Sequence, residues 1–352
     1  MSAPSLEELR RLEREWQDRV GHELLDRPFD ERGSAIVFER QFDRVVGALE
    51  GVGEGPIVEV GCGRGQLLSH LRRHPLGRDR LLVGVDVSVA TRVLEGRGAL
   101  GVRGDGERLP LRDGSAAAVV YNGALHHVVD PRAALREAFR VLGPRGRLVV
   151  FEPVSSAFSQ LAHRLLDPLV FRASCEYESP VDQHLKHAFS EEVVEEELRR
   201  GGTIVRAGKS DFLAYPFTGC YAGALFTRSP RFMRALLAAE RAAEKLPGLR
   251  VAARMLAWRF LLAADKADSG SSATAAGGGT TGAAGTSGAT PSTGGVTAFD
   301  GRLAPLLACP RCHAPVAPRG GGATLECGAC RVAYRTEDRV PVLLVDESTR
   351  LA

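Results

Sequence analysis

Ile57-Val58-Glu59-Val60-Gly61-Cys62-Gly63-Arg64-Gly65 is an apolar strand that runs into a glycine-rich turn and carries an acid within the strand. Twenty-one residues past Gly65, a second apolar run, Leu81-Leu82-Val83-Gly84-Val85, ends in Asp86. Strand, glycine turn, helix, strand and terminal acid form the first half of a nucleotide-type βαβ unit. The spacing then discriminates between ligands. A pyrophosphate calls for G-x-G-x-x-G, whereas the glycines at 61, 63 and 65 fall as G-x-G-x-G. Glu59, two residues ahead of the turn, repels phosphate oxygens and suits a ligand that carries an ammonium and a sulfonium.

S-adenosylmethionine carries both, and four further stretches point the same way. Gly104-Asp105-Gly106-Glu107-Arg108-Leu109-Pro110-Leu111 follows a third strand, and Ala118 to His127 (AVVYNGALHH) reads as a fourth strand with its loop. Asp130 to Glu137 (DPRAALRE) opens a helix, and Val141 to Val150 (VLGPRGRLVV) is a turn into a fifth strand. With the glycine turn, these pieces resemble the class I S-adenosylmethionine-dependent methyltransferases, in that family's order, over roughly residues 55–155. The resemblance implies an α/β fold: a doubly wound, mostly parallel seven-stranded sheet.

Size and composition agree with such a domain plus something smaller. At 352 residues the chain exceeds the usual single-domain length. Its 44% hydrophobic and 25% charged content is that of a globular protein and excludes a disordered or fibrous class. A net charge of +3 does not mark a nucleic-acid binder. No apolar run approaches the ~20 residues that span a bilayer. The charged stretch from Leu6 to Asp30 is unlike a secretory signal. The expected compartment is the cytoplasm, where seven reduced cysteines fit.

Ser5-Leu6-Glu7-Glu8 reads as a capping box opening a helix, with Leu6, Leu9, Trp16 and Val20 on one face. A second helix is predicted from Ser34 to about Glu50. In the resembling family such leading helices (residues 1–50 here) pack over the cofactor cleft. The methyltransferase domain proper is predicted over 51–266. Within it, Cys175 to Ser190 reads as a loop on the substrate side. Thr203 to Leu213 and Ala257 to Ala264 read as the last, antiparallel strands, with an inserted helix at Pro230 to Leu249. Residues 267–298 are dominated by Gly, Ala, Ser and Thr, with no charge after Asp268 and one proline, Pro291, the composition of a flexible linker. Its reach, on the order of 30 Å, lets the tail either touch the main domain or swing clear.

The tail, 299–352, holds Cys309-Pro310-Arg311-Cys312 and, fourteen residues on, Cys327-Gly328-Ala329-Cys330. Two C-x-x-C knuckles at this distance suit a tetrahedral Cys₄ zinc ion. So small a segment lacks a core of its own, which gives a metal clip an energetic reason. A redox pair or idle thiols are the alternatives. With Leu306-Leu307-Ala308, Tyr334 and Asp338-Arg339-Val340-Pro341-Val342, the tail resembles the small zinc-ribbon family whose eukaryotic members activate several methyltransferases. Arg339 departs from that family, which usually has glycine there. Joined in one chain, the ribbon is expected to dock on its own methyltransferase domain.

For the site, the resemblance implies that Gly61, Gly63 and Gly65 let the backbone approach the methionine portion. Asp86 accepts from the ribose hydroxyls, Asp105 with the Gly106 amide meets adenine, Glu59 acts through the amino group or water, and Asn122 faces the methyl. Candidate bases for removing an acceptor proton are His126, His127 and His184, with His187 in the same loop. Asn122-Gly123-Ala124-Leu125 lacks the Asn/Asp-Pro-Pro-aromatic turn of amine methyltransferases, which leaves oxygen or carbon of a small molecule, sugar or lipid.

Residues 201–259 carry ten Lys/Arg against three acids, a local net of +7. The inserted helix thus faces an anionic substrate or a membrane surface, or else is a solvated basic face offset by the acids from Glu191 to Glu197. The tail, with seven Arg against six Asp/Glu after residue 298, gives no nucleic-acid signal. Two other functions remain open: a macromolecular (RNA or translation-protein) methyltransferase helped by its ribbon, and a non-catalytic scaffold.

Overall fold

A computed structural model describes residues 4–26, 32–154, 179–185, 189–215, 229–267 and 298–351. The linker assigned to 267–298 lies almost wholly outside these, as do His187, Cys175 and Cys220. Two helices lead the chain, α1 (Leu6–Asp26) and α2 (Arg32–Ala48). The core then alternates β1 (Ile57–Val60), α3 (Gln66–Arg73), β2 (Leu82–Asp86), β3 (Leu100–Gly104), β4 (Ala116–Asn122), α4 (Pro131–Val141) and β5 (Leu142–Pro153). Next come α5 (Pro180–Leu185), α6 (Glu191–Gly201), β6 (Gly202–Ser210), α7 (Pro230–Lys245), α8 (Pro247–Met255) and β7 (Arg259–Lys266). The tail forms β8 (Ala317–Arg319), β9 (Thr324–Cys327), β10 (Val332–Glu337), β11 (Val340–Leu343) and β12 (Thr349–Arg350).

Five strands run parallel in the order β3-β2-β1-β4-β5, and β7 and β6 complete the sheet as an antiparallel pair. This is the doubly wound seven-stranded sheet that the motifs imply. The parallel strands β1 to β4 are buried on both faces and read as continuous apolar runs, whereas β6 at the edge is largely exposed. Val58, Val60, Val83 and Val85 pack with Ala134, Leu135 and Ala138 of α4 on one face. Ile57 and Leu82 pack with Leu67, Leu68 and Leu71 of α3 and with Val45 and Leu49 of α2 on the other.

Local signals place the helix starts. Ser5 Oγ accepts from Glu8 N at 3.2 Å, which realises the first half of the capping box. Asp130 accepts from Ala133 N, and Pro131 supplies the preset first helical φ. Three expectations are modified. Leu6 is exposed, and Glu13, absent from the predicted face of α1, is buried. The inserted helix is two helices, broken where Leu246 leaves helical geometry ahead of Pro247. The loop expected at Cys175 to Ser190 contains α5 among its described residues.

The tail is joined to this sheet. β11 pairs in parallel with β3, Val342 opposite Arg103 and Leu343 opposite Gly104, so the β3 edge is covered. Leu307 bridges to Leu111, and Ala308 N donates to Pro110 O at 2.9 Å. Leu303, Leu307, Leu325, Tyr334 and Leu343 belong to the same buried cluster as β1 and β4. Each such leucine contributes roughly 1.5–3 kcal/mol by leaving water. The departure at Arg339 has a structural consequence. Asp338 and Arg339 both take left-handed φ, 47° and 66°, in the hairpin between β10 and β11, where glycine is at ease. Arg339 bonds both carboxylate oxygens of Glu95 at 2.8 and 3.0 Å, and Asp338 pairs with Arg92 at 3.0 Å. Those contacts offset the strain and tie the turn to the main domain.

Candidate active site and cysteine centre

A cavity of about 300 Å³ opens at the carboxyl ends of β1, β2, β3 and β4, where ligands of doubly wound sheets bind. Its floor includes Gly61, Gly63, Asp86, Asp105 and Gly106, and its roof is α1, through Trp16, Gln17 and Val20. Ion pairs hold that roof, including Arg14 with Asp346 of the tail. Arg10 donates to Glu107 at 2.6 and 2.9 Å, and Asp18 accepts from Arg103 at 2.9 Å and from Val89 N at 3.0 Å.

The glycine turn has separable steric reasons. Gly61, Gly63 and Gly65 all take left-handed φ, 69°, 48° and 70°. A Cβ at Gly61 would lie 2.2 Å from Ala124 Cβ, and one at Gly65 2.2 Å from a Leu94 methyl, so these two permit close packing of protein on protein. A Cβ at Gly63 meets nothing within 4 Å: that position borders open space. Gly63 N donates to Asp86 Oδ2 and Ser88 N to Asp86 Oδ1, each at 2.8 Å. Those bonds fix the carboxylate and leave further lone pairs directed at the cavity.

The other sequence candidates divide. His127 lines the cavity, 6.0 Å from the Trp16 ring, with Nδ1 3.3 Å from Ser179 Oγ and 3.7 Å from Glu13 Oε1. Glu59 is buried behind the wall and its Oε2 has no hydrogen-bond partner. Burial, then the Asp86 charge, pushes its pKa well above the ordinary carboxylate value. Asn122 turns away toward Arg259, 3.5 Å off. His184 is exposed on α5, its Nδ1 2.9 Å from Pro180 O. His126 turns to a carboxylate that the motif reading missed: Nδ1 lies 2.7 Å from Glu152 Oε2.

Glu152 sits at the end of β5, fully buried, and its Oε1 accepts from Ala124 N and Leu125 N at 2.8 Å each. Burial opposes its ionisation, but the His126 bond and charge, the Arg259 charge and the Leu125 amide together hold its pKa below the ordinary value of 4.5. An ionised carboxylate only accepts, so Nδ1 of His126 donates to it, and in the neutral ring Nε2 is left to accept. Glu152→Gln should therefore cost on the order of 1–3 kcal/mol in urea unfolding at neutral pH. A lowered folded pKa stabilises above the unfolded value, so the gap between wild type and variant should close as pH falls below 4.5. A gap that is constant with pH would show that Glu152 is not ionised. The sequence signal for Glu152, an acid closing an apolar strand, is the one that picked out Asp86.

In the tail, the Sγ atoms of Cys309, Cys312, Cys327 and Cys330 all lie within 4.8 Å of one another. Sulfurs about 2.3 Å from a tetrahedral ion fit this spacing. Tyr334 Oη is 3.3 Å from Cys309 Sγ, and Cys330 N donates to Cys327 Sγ at 3.4 Å, so outer hydrogen bonds are in place. Without a cation, ionisation is opposed at Cys327 and Cys330, while at Cys312 burial is outweighed by hydrogen bonds from the Ala314 amide and the neighbouring thiols, which favour it. The hydrogen bond with Cys312, burial and the Cys309 charge push Cys330 up to about 12. The donor set fits zinc.

Residues 58–150 match the family described as "Methyltransferase domain". The chain is 42% identical over 104 residues to an uncharacterized 37.1 kDa protein in transposon TN4556 of Streptomyces fradiae, covering 27% of this chain and 29% of that one. It is 36% identical over 122 residues to a demethylmenaquinone methyltransferase of Mycolicibacterium vanbaalenii, covering 34% and 53%. The chain thus spans about half or less of the length of these relatives. Among solved structures it is similar to a geranyl diphosphate C-methyltransferase from Streptomyces coelicolor, with 16% identity, 65% of this chain and 79% of that one covered, and a TM-score of 0.41.

Proposed function

We propose that this chain, which carries a methyltransferase domain at residues 58–150, binds S-adenosylmethionine beneath α1 and methylates oxygen or carbon of a small molecule. One observation carries the reading: the acids at two adjacent strand ends, Asp86 and Asp105, and the glycine turn open on a single roofed cavity. In this reading Asp86 accepts from both ribose hydroxyls, and Asp105 and the Gly106 amide meet the adenine edge. Gly61 and Gly63 border the methionine portion. The unpartnered Glu59 oxygen supports a role in balancing the ammonium, directly or through water. When bound, S-adenosylmethionine supplies an electrophilic methyl on a sulfonium.

The protein's own groups then orient, exclude water and move a proton. Trp16 and Val20 shield the donor from above. Glu152 holds His126 in the tautomer whose Nε2 can take a proton from an acceptor hydroxyl or acidic carbon, and His127 stands 4.1 Å away, ring to ring. The turn at Asn122 to Leu125 and the likeness to a demethylmenaquinone methyltransferase both support an acceptor other than an amine. Zinc, held by the four tail thiolates, has a structural role in this reading. The division into 51–266 and 299–352 belongs to it too.

Calorimetry in buffers of different ionisation enthalpy tests the site. S-adenosylmethionine should bind, and an ammonium near Glu59 should release a proton from that carboxyl. Binding of a nicotinamide dinucleotide in its place would overturn the assignment. Binding without proton release would remove Glu59 alone.

A further inference from the structure

Away from the cavity, cations on the described surface usually have partners: Arg132 with Glu196 and Glu197, Arg140 with Asp113 and Glu137, Arg147 with Asp265. α7 breaks that pattern. Arg231, Arg234, Arg241 and Lys245 recur at helical spacing around Ala238, which puts them in one stripe about 20 Å long. All four are exposed, and no ion pair or side-chain hydrogen bond joins them to another described residue. The acids of α7 point elsewhere. Glu240 is buried and accepts from Arg40, and Glu244 accepts from Arg40 and Arg44.

The chain then presents apolar groups where water is expected. Leu246, Leu249, Val251 and Met255 are 53%, 51%, 62% and 70% exposed, four of the six large apolar side chains so exposed among the described residues. Ala253 is the buried residue that sets the inward side of α8. By helical geometry Val251 and Met255, one turn apart, lie on the opposite, outermost side. An ordinary surface helix has the reverse polarity. Arg254, exposed and without an ion partner among the described residues, flanks this apolar ridge.

We propose that α7 and α8 form a docking face for an anionic lipid bilayer. Val251 and Met255 enter the boundary between headgroups and acyl chains, and the stripe from Arg231 to Lys245, with Arg254, meets the lipid phosphates. Charge without the apolar ridge would suit RNA equally well; the ridge selects the membrane, where buried apolar area and basic charge act together. No helix of the described residues is long and apolar enough to cross a bilayer. The inference does not depend on the methyl donor or on the acceptor.

Co-sedimentation of the full chain with phosphatidylcholine vesicles, with and without phosphatidylglycerol, tests it. The wild-type chain should partition onto the anionic vesicles and be released by salt. The pair R234A/R241A should lower the partition coefficient about thirtyfold, from ~1 kcal/mol per basic residue at an anionic surface. V251S/M255S should lower it without changing its salt dependence. Both pairs are exposed, so melting temperatures should match wild type. No partition at low salt, or equal partition by R234A/R241A, would overturn the proposal. So would RNA binding lost in R234A/R241A together with no vesicle binding, which assigns the stripe to nucleic acid.

Discussion

Asp86→Ala should lower affinity for S-adenosylmethionine by roughly two to four orders of magnitude. Two ribose hydroxyls donating to one ionised carboxylate contribute about 1.5–3 kcal/mol each, and each 1.4 kcal/mol is tenfold. The same carboxylate accepts from Gly63 N and Ser88 N at 2.8 Å, so the substitution also frees the glycine turn. Asp86→Asn separates the two effects. It keeps an acceptor for one of the two backbone amides but loses the charge, so its affinity and its melting temperature should both fall between those of the other two. Titration calorimetry reads all three proteins. An alanine variant that binds within about threefold of wild type would remove Asp86 from the site.

The second large effect belongs to the tail. Cys309→Ser with Cys327→Ser takes one thiolate from each knuckle. It should reduce zinc from one ion per chain to none, by plasma emission after exhaustive dialysis. Structural zinc contributes an apparent ~10–16 kcal/mol to folding in isolated small domains, more than a segment of this size gains from its own core. Loss of the ion should therefore unfold β9 and β10 and release β11 from β3. The register predicts where this is seen: amide exchange should accelerate at Arg103 and Gly104, which face Val342 and Leu343. Zinc retained by the double variant would refute the cluster as a metal site. Zinc lost with β3 still protected would refute the dependence of docking on the ion.

Several of these features are legible locally. The turn from Gly61 to Gly65 can be read because left-handed backbone at three alternate positions excludes other residues wherever packing is close, as Ala124 and Leu94 make it here. Asp86 and Asp105 are legible as polar residues closing apolar strands. The two cysteine knuckles are legible because thiolate spacing is a local property. Other features are not. Asn122 sits at the predicted strand end, yet its side chain goes to Arg259, 137 residues later. His126 gains a defined tautomer only from Glu152 across a parallel strand pair. Glu13, buried on α1, accepts from Val181 N at 3.0 Å, a contact no helical periodicity can anticipate.

The sequence by itself determined the strand–turn–strand core and the two close cysteine pairs of the tail, and it set the expectation of a sulfonium rather than a pyrophosphate ligand, since each rests on neighbours within one turn or one strand. Only the tertiary structure decided that α1 roofs the cavity, that Glu152 orients His126, and that β11 closes the open edge beside β3. The physical reason is that main-chain hydrogen bonds at a sheet edge carry no residue code. Which strand occupies the edge is fixed by burial of Leu307 and Leu343 in the common core and by ion pairs such as Arg339 with Glu95, contacts made by residues far apart along the chain.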